Sequence, residues 1–235
     1  MTVTVPVPSG PLRAHLATPD GQGPWPGVVV LHEAFGLNDD IRGIADRFAG
    51  HGYLAVAPDL FSWAATPRCL VSSFRDFLRG HGPAHDRVDA TRDWLAAQET
   101  CTGRVGVIGF CMGGGFALLA APRGYAAAAV NYGLVPKDAE RVLAGACPIV
   151  GSYGAKDRAL RGQSARLEKA LEANGVDHDV KEYPGVSHSF LNQHHGWMAT
   201  LDRVTGFGYG ATQAEDAWAR IFTFFGRHLG GPDTR

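Results

Sequence analysis

The stretch GFCMGGGF, residues 109–116, decides the fold. RVGVIGF leading into it reads as a strand, and FALLAA leading out of it reads as a helix, so the glycines mark a strand-to-helix turn with Cys111 at its tip. GFCMG fits G-x-nucleophile-x-G. In that pattern, glycines on either side tolerate the sharp bend that holds the middle residue in a strained, exposed conformation. At the N-terminus of the following helix, free amide groups and the macrodipole favour an anion, which lowers a thiol's pKa and stabilises a negative intermediate. A glycine-rich bend with a chance cysteine has the same letters, so neighbouring segments must decide.

Working outward, VVVL at 28–31 is a continuous apolar run, the mark of a strand buried on both faces of a parallel sheet. A helix over 39–49, the strand LAVA at 54–57 and a helix over 85–97 lead to the cysteine turn. Beyond it come strand AAAAVNY, a short helix over 137–143, strand PIVGSY, a helix over 160–173, strand HDVKEY and a last helix over 213–228. Two short strands, MTVTVPV and residues 12–17, precede this alternation. The order predicts one α/β domain over 1–235, with a mostly parallel, doubly wound central sheet flanked by helices and antiparallel strands at its N-terminal edge. Phe61 to Pro83 and Leu191 to Gly210 fall outside the alternation and read as long connections walling a substrate site, although plain surface loops have similar composition.

Asp157 follows PIVGSY and His188 follows HDVKEY, both at carboxyl ends of strands, where open α/β sheets hold their active sites. Alone, Asp157 would read as a turn or capping residue and His188 as a polar loop residue. Together with Cys111 they stand in the order nucleophile, acid, histidine, the order of α/β-hydrolases, in which an imidazole held by a carboxylate takes a proton from the nucleophile and returns it to the leaving group. LHEAFGL, residues 31–37, raises a zinc question through its HE pair, but position 36 is glycine rather than a second histidine. Its position instead matches the loop that supplies one oxyanion-hole amide, here Ala34, the other coming from Met112 after the nucleophile. On sequence grounds Glu33 reads equally well as a solvated loop carboxylate.

Composition sets the outer limits. Of the 235 residues 45% are apolar, and 22 basic against 23 acidic side chains leave a net charge of −1, so nothing steers the chain toward nucleic acid or an anionic membrane. Small molecules are the expected partners. No apolar run approaches the roughly 20 residues of a membrane span, and no signal segment opens the sequence, which points to the cytoplasm. Cys69, Cys101, Cys111 and Cys147 form no CxxC pair and no cluster with histidines, against structural zinc or a disulfide framework. Oligomeric state is left open.

Read together, HEAFGLNDDIRGIADRFAGHGYLAVAPDLF, GRVGVIGFCMGGGFALLAA, GSYGAKD, YPGVSHSF and AWARIFTFFGRHL make the chain resemble the dienelactone hydrolases of the α/β-hydrolase superfamily over nearly its whole length. The resemblance implies a Cys111, Asp157, His188 triad, hydrolysis of an ester or enol-lactone through a thioester, and no cofactor or metal. It implies that Glu33 contacts the resting thiol and helps to activate it. If so, the adjacent carboxylate keeps the resting thiol neutral until substrate arrives. Phe35, Tyr132 and Asn192 fall on substrate-facing positions. Relatives that act on carboxylated dienelactone carry an arginine where this chain has Asn192, so neutral substrates are expected unless Arg68, Arg75 or Arg79 supplies the charge. A thioesterase or another acyl transfer would use the same machinery. A non-catalytic binding protein or a redox-sensing thiol is the alternative outside hydrolases; the complete triad and the absence of a resolving cysteine near Cys111 speak against it.

Overall fold

The computed structural model describes residues 1–62, 66–196, 199–200 and 207–230. Eight strands, β1 (Thr2–Val5), β2 (Leu12–Ala17), β3 (Trp25–Leu31), β4 (Leu54–Pro58), β5 (Cys101–Phe110), β6 (Ala127–Asn131), β7 (Ile149–Gly154) and β8 (His178–Tyr183), form one sheet in the order β1-β2-β4-β3-β5-β6-β7-β8. β1 with β2 and β2 with β4 pair antiparallel, and the remaining pairs are parallel. This is the mostly parallel α/β-hydrolase sheet with an antiparallel edge that the sequence order predicts.

Helices α1 (Asp39–Gly50), α2 (Thr66–Arg79), α3 (Pro83–Ala96), α4 (Met112–Ala120), α5 (Ala139–Val142), α6 (Gln163–Ala173) and α7 (Ala211–Leu229) fill the connections. The run VVVL is apolar throughout because its residues feed two cores. Val29 and Leu31 belong to one core with Val88 and Leu118, while Val28 and Val30 belong to a second with Phe48, Ile221 and Phe225 on the other face. α1 and α7 cover that second face.

The segment 61–83 departs from the expected irregular connection, since most of it is the 14-residue helix α2. Leu70, Phe74 and Phe77 recur at helical spacing, and that periodicity outweighs the Arg- and Gly-rich composition around it. Residues 63–65 of this segment, and 197–198 and 201–206 of the second, lie outside the described residues.

Strand order reverses at β3, which has β4 on one side and β5 on the other. The loops after β3 and β5 therefore leave in opposite directions and open a crevice at the carboxyl end of the sheet, where such folds bind ligands.

Candidate active site

Cys111 stands at that crevice as the N-cap of α4, with φ 54° and ψ −116°, a conformation that side chains rarely adopt. The flanking glycines are required by contact rather than flexibility: a Cβ on Gly109 would overlap the Gly113 carbonyl, and a Cβ on Gly113 would overlap the carbonyls of Leu31 and His32. The Cys111 amide donates to Asn131 O at 3.1 Å, fixing the elbow to the end of β6.

Asp157 and His188 meet because the loops after β7 and β8 are stitched together. Ala155 N donates to Tyr183 O and Lys156 N to Val186 O, both at 2.9 Å. His188 Nδ1 lies 2.6 Å from Asp157 Oδ2, while Asp157 Oδ1 accepts from the amides of Ala159 and Leu160 at 3.1 and 3.3 Å. The carboxylate fixes the tautomer: Nδ1 carries the proton and donates, which leaves Nε2 for the thiol. Burial alone would lower the His188 pKa, but hydrogen bonds and negative charge from Asp157 and Cys111 outweigh it and push it up to about 10.

The carboxylate of Glu33 points elsewhere. Its Oε1 lies 2.5 Å from Nε2 of His194, with both side chains buried, whereas the sequence expectation set it against the thiol. Asp40, in the first turn of α1, accepts from Asn192 Nδ2 at 2.6 Å and Gln193 N at 2.9 Å, and the Tyr132 hydroxyl donates to Asn192 Oδ1. Burial, then the charges of Glu33, Asp40 and Cys111, raise the Tyr132 pKa well above its ordinary value, so the phenol stays protonated and remains a donor. Among the described residues Glu33, Asp40 and His194 bring potential ligand atoms within 4.8 Å of one another, but the contacts just given already engage all three.

Cys111, His188, Ala34, Met112 and the ring of Tyr132 border a common cavity of about 240 Å³. Asn192 is fully buried beneath it, with its amide oxygen and nitrogen both bonded inside the protein. Phe35 is 42% exposed, stands edge-on to His194, and is not among the residues that border the cavity. Arg68, Arg75 and Arg79 are exposed.

Sequence reasoning missed His32, Asp40 and His194. His32 is fully buried; its Nε2 accepts from Leu60 N at 3.1 Å, so Nδ1 donates to Glu33 O at 2.6 Å and the loop carrying Ala34 is pinned. Burial lowers its pKa, consistent with a neutral ring making one bond as acceptor and one as donor. The HE pair was the visible signal for His32. For His194, the polar run NQHH was visible but its partner lies 161 residues away.

The family model described as the dienelactone hydrolase family matches residues 12–229. A Yersinia pestis protein provisionally named as a carboxymethylenebutenolidase is 30% identical, the match covering 96% of this chain and 87% of that one. Protein usf of Aquifex pyrophilus is 33% identical over 93% and 94%. Among solved structures, one from Klebsiella pneumoniae, provisionally named as a dienelactone hydrolase, superposes with a TM-score of 0.78 at 25% identity and covers 97% of this chain and 98% of that one. A dienelactone hydrolase-like promiscuous phosphotriesterase from metagenomic libraries reaches 0.79 at 27% identity, covering 98% of each chain.

Proposed function

The chain belongs to the dienelactone hydrolase family and is a hydrolase acting on ester bonds, and on that premise we propose that it cleaves carboxylic esters or enol-lactones with Cys111 as nucleophile. The observation that carries this reading is the strained Cys111 at the helix N-terminus, coupled to a His188 that Asp157 holds at 2.6 Å.

In the first half-reaction the Cys111 thiolate attacks the carbonyl carbon, and the carbonyl oxygen takes up the displaced electron pair. The amides of Ala34 and Met112 hold that oxyanion; one such donor contributes on the order of 3 kcal/mol to the transition state. Collapse expels the alcohol or enol oxygen, which takes the proton from His188 Nε2, and leaves a thioester. In the second half-reaction neutral His188 removes a proton from water, the hydroxide attacks the thioester, and the acid departs as the thiolate returns. Asp157 orients the ring and stabilises its charged form throughout. In this scheme Glu33 acts from its pair with His194, setting the loop that bears the Ala34 amide. The balanced net charge supports small molecules, rather than nucleic acid or an anionic membrane, as partners, and the proposed setting is the cytoplasm.

The test is p-nitrophenyl acetate. Wild type should release p-nitrophenol with a burst that matches the enzyme concentration if deacylation is the slower step, and Cys111→Ala should show neither burst nor turnover. Turnover retained in Cys111→Ala would remove the cysteine from the mechanism.

A further inference from the structure

The cavity at Cys111 has a one-sided chemistry. Apart from Cys111, His188 and the amides of Ala34 and Met112, all used by the reaction, the described residues bordering it present carbon, among them Leu70, Phe74 and Phe77 from α2, with Leu134 and Leu160. Tyr132 adds only its ring, because its hydroxyl is turned to the buried Asn192. The three arginines of α2 and its entry are exposed and absent from the lining. A carboxylate entering here would lose its water and gain no described cation, whereas each methylene would gain apolar contact.

Size sets the second limit. A volume of 240 Å³ holds roughly eight groups of water's ~30 Å³ share. Counting the carbonyl carbon, that is room for an acyl group of about four to six carbons. Phe74 is 49% exposed, so the apolar wall runs out to solvent along α2 and the cavity is open at that end.

We propose that the substrate's acyl group is uncharged and apolar, of butyryl to hexanoyl size, and that it is bound against α2 by Leu70, Phe74 and Phe77. This rests on the ester hydrolase reading of Cys111. It makes α2, in the segment that the sequence reading already sets as a wall of the substrate site, the part of that wall that determines specificity.

The experiment measures kcat/KM for p-nitrophenyl acetate, butyrate and hexanoate and for mono-p-nitrophenyl glutarate, whose carboxylate replaces the end of the hexanoyl chain. The expected rise is about two- to fourfold per added methylene up to hexanoate, with the glutarate ester at least tenfold below hexanoate. Phe74→Ala should lower the hexanoate value by a larger factor than the acetate value, and Phe74→Arg should shift the hexanoate-to-glutarate ratio at least tenfold toward the anion. A flat acyl series, or an anionic ester hydrolysed as well as its neutral counterpart, overturns the proposal while Cys111-dependent turnover keeps the hydrolase reading. Should wild type hydrolyse none of these esters, the hydrolase reading fails. The pocket is then decided by calorimetric titration of Cys111→Ala with hexanamide and with glutaric monoamide: tighter hexanamide upholds the apolar pocket, and equal or reversed affinity overturns it.

Discussion

Nε2 of His194 and Oε1 of Glu33 lie 2.5 Å apart with 1% and 2% of their side-chain surfaces exposed, so the acid beside the nucleophile loop is committed to an imidazole from the loop after β8. A buried pair broken from one side leaves a charge without compensation, at a cost of about 3–5 kcal/mol. His194→Ala should therefore lower Tm by roughly 10 °C, at about 2–4 °C per kcal/mol for a chain of this size. Adding Glu33→Gln should recover part of the loss, since the orphaned charge is then gone. Thermal denaturation of the two single variants and the double variant gives the coupling, and additive losses would show that the pair is not energetically linked.

Only one of the four thiols is set up to react. Burial raises the Cys101 pKa and pushes Cys147 up to about 12, and Cys69 is fully buried with its sulfur donating to Phe61 O. Iodoacetamide at pH 7 should label Cys111 first, as read by peptide mass spectrometry. Because Glu33 is held by His194 and not by the thiol, labelling of Cys111 at pH 7 should outpace that of the other three cysteines, and His188→Ala should slow it. Labelling of Cys111 no faster than that of the other cysteines, and made faster by Glu33→Gln, would mean that Glu33 turns to the thiol in solution and holds it back.

In the proposed mechanism the imidazolium of His188 donates to the leaving group, so its loss sets the alkaline limit of acylation. With the His188 pKa at about 10, kcat/KM should hold through the neutral range and fall as pH rises through that value. Asp157 raises this pKa by hydrogen bond and charge, so Asp157→Asn should move the limb to lower pH as well as reduce kcat by about 10³-fold or more. A limb that stays in place, read with a neutral ester whose leaving group has a high pKa, would place its origin in another group.

Cys111→Ala and His188→Ala should each lose on the order of 10³-fold or more in kcat, and the double variant should be scarcely worse than either, because the members of such a unit act together. Circular dichroism should show both folded. Losses that multiply in the double variant would indicate two independent contributions.

The parts legible in the sequence were those carried by local pattern. Val28 to Leu31 reads as a buried strand because every residue is apolar, and Cys111, Asp157 and His188 stand at strand ends in a fixed order. The Glu33–His194 and Asp40–Asn192 contacts join residues 161 and 152 positions apart, and no local rule pairs them. Helix α2 lay between these cases. Its Leu70, Phe74, Phe77 spacing was present in the letters, but glycines at 80 and 82 and scattered arginines gave the segment the look of a loop, and the burial that explains the spacing exists only once the cavity is formed.

The backbone at Cys111 carries a further consequence, for selection. Its φ of 54° and ψ of −116° cost a residue with a side chain roughly 1–3 kcal/mol, and glycine is the residue that relieves the strain. On the proposed mechanism, the nucleophile is thus the residue that folding alone would discard. Cys111→Gly should melt above Cys111→Ala by about 2–4 °C, the equivalent of ~1 kcal/mol, and scanning calorimetry of these two inactive proteins would reveal it. A library screened for heat resistance without an activity screen would drift toward glycine at this position, so on the proposed mechanism the reaction, rather than the fold, keeps a thiol at the elbow.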